Sequence, residues 1–348
     1  MNDIKIVYLY SEYMGYTAST VNKLVEYGAE VHIVHLPTPY KPEKKSNVYY
    51  YQRENLGFDD IQILLKDINP LITVVSGWED NTYLKCAKNL IRNHKIVVLG
   101  IDNIWHNTIR QKIASYLGMI GYFKKFFSNA WVAGPYQYQY AREIGFRKDE
   151  IIYDLYSCDI SQFDKARKSR EKKIGVNNYP YKFLFVGRLE DIKGIDLLLK
   201  SWTSIKDKNN WELHIIGNGS MKTKLESHND VFLKEFMQPE ELISEFLKYG
   251  CFILPSKSEP WGLVVHEAVS IGMPIILSDV VGSATEFLIN GYNGLSFKNG
   301  NIIDLRAKME YIIRLSDDDL LNMSNNSFKI SKRITPSTSA RNLLSLLY

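Results

Sequence analysis

Short apolar runs alternate with amphipathic segments along most of the chain, and this alternation predicts parallel strands joined by helices. In the first half, the predicted strands are 4–9, 31–36, 71–76, 95–100, 130–134 and 151–155, and the predicted helices are 21–27, 81–92 and 137–145. The strand runs are mostly apolar, as expected for the buried strands of a parallel sheet. The first half therefore predicts one doubly wound α/β domain.

The same alternation starts again after the charged stretch KARKSREKK at 165–173. We interpret this stretch and the asparagine pair before Pro180 as a solvated helix and connector. Strands follow at 181–187, 211–217, 231–233, 251–255, 274–277 and 295–297, with helices at 194–204, 221–227 and 238–249. The chain is thus predicted to contain one domain over 1–163 and a second over 164–325, with a ligand in the cleft between them.

Two segments of the first domain depart from this pattern. Residues 36–51 are rich in proline, lysine and tyrosine, and we interpret them as a mobile surface excursion. Residues 113–131 combine apolar and aromatic side chains with Lys124 and Lys125, in the run FKKFF. They fit either an interfacial helix resting on anionic lipid or a core helix whose lysines face water.

Composition narrows the class of protein. The chain has 348 residues and a formal net charge of +4. This mild positive charge is compatible with an anionic ligand or membrane surface but is too weak to indicate nucleic-acid binding. Cys86, Cys158 and Cys251 are scattered, which argues for a reducing compartment and against structural zinc. The beginning of the chain does not resemble a secretory signal, and no apolar run approaches a membrane span. Three aspartates at 317–319 open a helix, where they complement its dipole, and we predict no metal site there.

The stretch SKSEPWGLVVHEAVSIG at 256–272 carries the strongest chemical signal. It follows a buried strand and places Glu259 in a loop and Glu267 in the first turns of a helix. The helix start offers backbone N–H groups to an anion, and a carboxylate beside it accepts hydrogen bonds from hydroxyls. A ligand with both phosphate and hydroxyl groups fits this arrangement. The alternative is that both glutamates are solvated helix-end residues.

The loop in VGRLEDIKG places Arg188 and Lys193 at the carboxyl end of another strand. Two cations near a phosphate oxygen are each worth up to about 4 kcal/mol at an effective dielectric of about 20, before desolvation. They are enough to hold a diphosphate without a metal. The alternative is a loop closed by salt bridges from these cations to Glu190 or Asp191.

The first domain offers a weaker polar cluster. Gly15 lies in the loop after the first strand, where a glycine lets the backbone approach a ligand. The segment IDNIWHNT places Asp102, Asn103 and His106 directly after a strand, where an open sheet meets its ligand. An ordinary turn glycine explains Gly15 equally well.

Together VGRLEDIKG, IIGNG, SEPWGLVVHEAVSIGMPIILSD and NGYNG resemble the retaining glycosyltransferases of the GT-B fold, family four. This resemblance covers residues 183–294 in order and spacing, and it implies two Rossmann-like domains facing a cleft, with the first binding the acceptor. It also implies that segment 326–348 returns to the first domain. By resemblance, Arg188 and Lys193 bind the donor diphosphate and Glu267 binds the ribose. The sugar is bound by Glu259 and by the backbone of Trp261, Gly262 and Leu263.

The remaining assignments also follow from the resemblance. The motif glycines Gly187 and Gly217 join the donor site, and Gly15 stands where the family has a glycine pair near the pyrophosphate. Asp102, Asn103 and His106 occupy the segment where the family carries a histidine near the transferring sugar, and either Asp102 or His106 fits that role.

The implied activity is retaining, metal-independent transfer of a hexose or related sugar from a nucleoside diphosphate sugar, with UDP or GDP as the nucleotide, and without a cofactor. The acceptor is a hydroxyl of a glycan or lipid-linked sugar, in cell-surface polysaccharide or glycolipid assembly. We expect a cytoplasmic protein, peripheral at an anionic membrane surface. Two alternatives remain open: a sugar-nucleotide epimerase of similar fold, and a non-catalytic subunit that binds the donor.

Overall fold

The computed structural model describes residues 4–38, 45–172, 174–175 and 178–348, with the side chains of 239–240 left aside. The chain divides into two compact units, the first formed by Met1–Asp159 with Ile334–Tyr348 and the second by Ile160–Arg333. Each unit contains one parallel sheet. The predicted α/β class with two doubly wound domains is therefore confirmed.

The first unit is built on a seven-stranded sheet in the order β3-β2-β1-β4-β5-β6-β7. Every neighbouring pair of strands is parallel. The strands are β1 (Ile4–Tyr10), β2 (Ala29–His35), β3 (Val48–Gln52), β4 (Ile72–Val75), β5 (Ile96–Ile101), β6 (Asn129–Val132) and β7 (Ile151–Ile152). The strand order reverses between β1 and β4, which is where sheets of this kind bind ligands.

The second unit repeats the topology with six strands in the order β10-β9-β8-β11-β12-β13. They are β8 (Lys182–Val186), β9 (Glu212–Ile216), β10 (Val231–Lys234), β11 (Cys251–Leu254), β12 (Ile275–Ser278) and β13 (Gly294–Phe297). Here the order reverses between β8 and β11, so the loops that follow these two strands are neighbours.

Helices connect the strands of both sheets. In the first unit they are α1 (Gly15–Glu26), α2 (Phe58–Ile68), α3 (Asn81–Arg92), α4 (Ile109–Met119), α5 (Pro135–Glu143) and α14 (Pro336–Leu344). In the second unit they are α6 (Ile160–Glu171), α7 (Ile195–Thr203), α8 (Lys222–Glu226), α9 (Pro239–Phe246), α10 (Leu263–Ser270), α11 (Ala284–Phe287), α12 (Ile302–Ile313) and α13 (Asp317–Ser331). None of the helices in the described ranges is long and apolar enough to cross a bilayer.

The first helix begins earlier than predicted. Residues 15–20 were expected in a loop, but α1 starts at Gly15, which is its first residue. The buried face of its first turns consists of Thr17, Ala18, Ser19 and Thr20. Serine and threonine are not counted as apolar residues, so the hydrophobic pattern of the sequence indicates only the second half of the helix.

The predicted surface excursion at 36–51 was wrong in its last part. Val48–Gln52 forms β3, which pairs with β2 from Val31 to His35. This edge strand is made largely of half-exposed tyrosines, so it lacks the apolar run that marks the central strands. Residues 39–44 of the predicted excursion lie outside the described residues.

The segment 113–131 is not one helix. It divides into the end of α4, a 3₁₀ turn at Phe123–Lys125 and β6. Phe123 and Phe127 of the FKKFF run are buried in the core of the first unit. The two phenylalanines therefore serve the core, which agrees with the second of the two interpretations as far as these side chains are concerned.

The charged run at 165–173 belongs largely to α6, which begins the second unit. It is a helix as predicted, but its solvated character does not extend to Arg170, which is 2% exposed. The Arg170 guanidinium donates to the carbonyl oxygens of Tyr249 and Gly272 at 2.7 Å each. The charged run thus packs onto the second unit through a buried arginine.

The predicted end of the second domain at 325 falls inside α13, because that helix continues to Ser331 and packs on α10. After it, α14 packs against α1 in the first unit. The end of the chain therefore lies with the first unit from Ile334 onward.

Candidate functional site in the second unit

Two loops meet at the switch point of the second sheet. One follows β8 and contains Arg188 and Lys193, and the other follows β11 and contains Glu259. They are joined by a backbone hydrogen bond of 2.8 Å from Lys257 N to Ile192 O. Residues far apart in sequence are thus neighbours at the carboxyl edge of the sheet.

Lys193 and Glu259 form a direct ion pair. The Lys193 ammonium lies 2.5 Å from the Glu259 carboxylate, and the exposed fractions of these side chains are 16% and 10%. Ser256 Oγ donates to the same carboxylate oxygen at 3.1 Å. A mostly buried carboxylate is therefore held by a cation and a hydroxyl, both at the sheet edge.

The alternative of a loop closed by salt bridges is wrong for Lys193, because Lys193 pairs with Glu259 and the loop acids have other partners. Ser220 donates to Glu190 through both its backbone N–H and its hydroxyl. Asp191 accepts from Lys257 at 2.7 Å. Arg188 of the same loop is exposed to solvent, and after the hydrogen bonds from Ser220 its charge also lowers the pKa of the Glu190 carboxyl.

The start of α10 is shaped by Gly262, which caps the helix with φ 84°, a left-handed conformation that favours glycine. Trp261 is buried, so its backbone rather than its ring borders the helix start. The loop after β12 fixes this turn, because Gly282 N donates to Glu259 O and Ser283 N donates to Trp261 O. The peptide groups of 261–263 are consequently held at the helix N-terminus, where an anion or a sugar oxygen is favoured.

Glu267 lies one helical turn after Leu263 on the same face of α10. Burial raises the pKa of its carboxyl to about 7, although part of the residue remains accessible to solvent. Within the described part of the chain, its carboxylate has no hydrogen-bond partner. The site thus contains an acid that is half ionised near neutral pH and whose oxygens remain available for a ligand.

Gly217 has a structural role in addition to the one predicted. A Cβ at this position would lie 1.9 Å from the carbonyl oxygen of Gly187, so only glycine lets the loop after β9 approach the loop after β8. The two predicted glycines are therefore in contact with each other, beside Leu189 in the loop that carries Arg188 and Lys193.

Candidate functional site in the first unit

The equivalent edge of the first sheet carries a polar cavity of about 500 Å³. Its walls come from the loops after β1, β4 and β5 and from α4, and they include Ser11, Ser76, Asp102, Asn103 and His106. The three residues predicted after β5 thus line one cavity at the switch point of their unit.

Asp102 and His106 differ in their surroundings. The Asp102 carboxylate accepts from the Tyr156 hydroxyl at 3.0 Å, and its backbone oxygen accepts from Gln137. Burial raises the pKa of Tyr156 far above its usual range, so this phenol stays a donor. His106 is exposed, and only its backbone N–H is tied down, by the Gln111 side chain. Asp102 is therefore fixed, whereas His106 is an exposed loop residue in the cavity lining.

Gly15 lies at the start of α1 and not among the residues that line this cavity. Ser256 and Tyr156 each position a predicted carboxylate, and neither role was predicted from sequence. Both stand near the end of a strand, and that position is the signal that could have found them.

In the described residues, no group of three or more His, Cys, Asp or Glu side chains is arranged so that it could hold a metal ion. The aspartates at 317–319 open α13, whose N-cap is Ser316, as the sequence predicts. The Tyr181 hydroxyl donates to Asp317 at 2.6 Å.

Residues 166–330 match the model of the family glycosyl transferases group 1. This match covers nearly the whole second unit, whose switch-point loops carry the ion pair and the α10 start. The second unit of this chain is therefore similar to the group 1 glycosyl transferases, in agreement with the resemblance inferred from its motifs.

Relatives and solved structures agree with this family. An uncharacterised glycosyltransferase of Methanocaldococcus jannaschii is 31% identical over 42% of this chain and 40% of its own length. The capsular polysaccharide biosynthesis glycosyltransferase CapM of Staphylococcus aureus is 28% identical over 46% of this chain and 44% of its own. The chain spans about half the length of the curated relatives it matches.

The crystal structure of HepE from Anabaena in complex with UDP superposes with a TM-score of 0.74 and covers 99% of both chains at 15% identity. This likeness extends over both units and establishes the GT-B fold for the chain.

Proposed function

We propose that this protein transfers a hexose or related sugar from a nucleoside diphosphate sugar to a hydroxyl acceptor. The observation that carries the proposal is the convergence of Lys193 and Glu259 at the switch point of a unit similar to the group 1 glycosyl transferases, next to the start of α10. An ammonium suits the diphosphate, and a carboxylate suits the sugar hydroxyls. UDP is our first choice of nucleotide, since HepE was solved with it.

In the proposed reaction, the bond between the anomeric carbon and the diphosphate oxygen breaks, and a bond to the acceptor oxygen forms on the same face. The acceptor proton passes to the leaving phosphate oxygen, so no carboxylate nucleophile is required. Arg188, Lys193 and the N–H groups at the start of α10 stabilise the charge that develops on the diphosphate. These groups supply the positive charge that a metal ion would otherwise bring.

For the acceptor we propose a sugar hydroxyl, bound in the cavity beside Asp102 and His106. Its walls combine hydroxyls, a carboxylate and an amide with the aromatic rings of Trp78 and Tyr140, a mixture that suits a carbohydrate. CapM, by its name, acts in capsular polysaccharide biosynthesis, and we propose a role of the same kind here, in surface polysaccharide or glycolipid assembly. We place the reaction in the cytoplasm, since Cys86, Cys158 and Cys251 are all buried thiols.

The test is a panel of UDP, GDP and ADP sugars, screened by thermal shift and then by release of nucleoside diphosphate with and without acceptor. A ligand at about 100 times its dissociation constant stabilises by about 2.7 kcal/mol. Glu259→Ala should lose sugar transfer more than nucleotide affinity, whereas Arg188→Ala should lose both. Lys200→Ala, an exposed lysine on α7, is the control. Turnover within tenfold of wild type in both site variants would refute the site.

The stereochemistry and the metal requirement need separate measurements. The anomeric configuration of the product, read by NMR, should equal that of the donor, and a chelator should leave turnover unchanged. Conversion of the donor without any acceptor would instead indicate an epimerase, and binding without turnover would indicate a non-catalytic subunit.

A further inference from the structure

Helix α4 exposes an apolar face of unusual size. Four large apolar residues of α4 and its C-cap residue Ile120 are between 57% and 79% exposed, the four being Ile109, Ile113, Tyr116 and Met119. Most other exposed apolar residues of the described chain are isolated in sequence, such as Ile63 and Ile303. Single exposed apolar residues are normal on a protein surface, but a contiguous set on one short helix marks an interaction site.

The helical geometry places all five on one side. At about 100° per residue, Ile109, Ile113, Tyr116 and Ile120 fall within an arc of roughly 60°, with Met119 on its flank. Gly118 lies on the opposite side, where a Cβ would meet the Ile144 backbone at 2.3 Å. The glycine side therefore packs against the first unit, and the apolar side is turned away from it.

The sequence segment that contains this face carries charges of one sign. From Asn103 to Arg142 the sequence contains no Asp or Glu, and its cations are Arg110, Lys112, Lys124, Lys125 and Arg142. Lys112 lies beside the apolar residues on α4 and is exposed, as is Lys125 in the turn that follows. Lys124 pairs with Glu150, and Arg110 pairs with Glu79 at 3.1 Å. An apolar face that carries the exposed Lys112, with the exposed Lys125 in the following turn, is complementary to an anionic lipid surface.

The length of the helix decides how it would lie. Eleven residues extend about 16 Å, roughly half of a bilayer's hydrocarbon thickness. The helix is thus too short to cross a bilayer and long enough to rest in its interface.

We propose that the α4 face, defined by Ile109, Ile113, Tyr116, Met119 and Ile120, docks the protein on an anionic membrane surface. The apolar side chains enter the headgroup boundary while Lys112 and Lys125 contact lipid phosphates. The apolar part of the docking element is therefore α4. The FKKFF run contributes the exposed Lys125, because its Phe123 and Phe127 belong to the core.

The experiment is sedimentation of the whole protein with vesicles of phosphatidylglycerol and phosphatidylcholine, compared with vesicles of phosphatidylcholine alone. We expect binding to the anionic vesicles, weakened as salt rises from about 0.1 M to 1 M, where the screening length shortens from about 10 to 3 Å. The variant Ile109→Gln with Ile113→Gln and Ile120→Gln should bind at least tenfold more weakly. Lys112→Ala with Lys125→Ala should lose about fivefold per charge.

The matched control is Ile63→Gln with Ile303→Gln, which removes exposed isoleucines outside α4 and should bind like wild type. Circular dichroism checks that every variant is folded. Absence of wild-type binding to the anionic vesicles overturns the proposal, and so does equal loss in the control. A dimer in analytical ultracentrifugation that the α4 variant abolishes would also overturn it, because the face would then belong to a second copy. The assay contains no nucleotide sugar, so its outcome is independent of the proposed enzyme activity.

Discussion

The carboxyl of Glu267 should make donor binding depend on pH near neutrality. Burial raises the pKa of this carboxyl to about 7, and no hydrogen bond from the described residues stabilises its ionised form. In the proposed role it accepts hydrogen bonds from ribose hydroxyls, which a carboxylate does better than a neutral acid. The donor should therefore prefer the ionised form, and binding should release a proton.

The size of the effect follows from the pKa. With a value of about 7, roughly one in eleven Glu267 side chains is ionised at pH 6 and about ten in eleven at pH 8. If only the ionised form binds, the apparent dissociation constant rises about tenfold from pH 8 to pH 6. That factor corresponds to about 1.4 kcal/mol.

The assay is isothermal titration calorimetry with the nucleoside diphosphate sugar that gives the largest thermal shift. A donor sugar is preferable to a free nucleoside diphosphate, because its diphosphate has no terminal phosphate to titrate in this range. Repeating the titration in two buffers of different ionisation enthalpy counts the released protons. Glu267→Gln cannot titrate, so its affinity should be weaker and flat from pH 6 to 8.

Glu286 provides the matched control. Burial also raises the pKa of the Glu286 carboxyl, which lies in the same unit but has no role in the proposed donor site. Glu286→Gln should therefore keep the wild-type pH dependence. An affinity that does not change with pH in the wild type, or a slope that persists in Glu267→Gln, would refute the reasoning.

Three further outcomes follow from particular contacts, each measured by urea unfolding of the ligand-free protein. The double variant Lys193→Met with Glu259→Gln should lose less free energy of unfolding than the sum of the two single losses, and the difference should be about 1–3 kcal/mol. Additive losses would contradict the ion pair. Arg170→Met should lower the free energy of unfolding by about 3 kcal/mol or more, because it leaves buried carbonyl oxygens without their charged donor. A loss under about 1 kcal/mol would contradict this. Gly217→Ala should lower the free energy of unfolding more than Gly291→Ala does. Both glycines have positive φ, but only at Gly217 would an added Cβ meet a neighbouring carbonyl oxygen. Equal losses would show that the two loops can separate.

The sequence was most informative where local signals agree. Helix α3 was predicted as 81–92 and is observed as Asn81–Arg92. Its apolar period is regular, and the Asp80 side chain caps it by accepting from Thr82 N and Tyr83 N. The central strands were located for a related reason, since parallel strands covered on both faces are apolar without interruption.

Prediction failed where burial was carried by polar side chains. The first turns of α1 bury threonine and serine, and Arg170 buries a guanidinium inside a run that reads as solvated. In both cases hydrogen bonds to distant carbonyl groups compensate for the polarity, as when Ser19 Oγ donates to Ser157 O at 3.3 Å. Such partners cannot be read from a local window of sequence.

The candidate site shows the same division between local and distant information. Motif spacing identified Lys193 and Glu259, and the resemblance placed both in one donor site, but neither indicated that the two side chains form an ion pair. Their meeting depends on β8 lying beside β11, the fourth strand of its unit in sequence, and this is a property of the sheet order. The pairing also indicates how the site is stable before a ligand arrives, because a buried carboxylate without a counter-charge would cost several kcal/mol. A donor bound as proposed would bring a diphosphate to Lys193 and hydroxyls to Glu259. The charge of each residue would then be compensated by the ligand instead of by its neighbour.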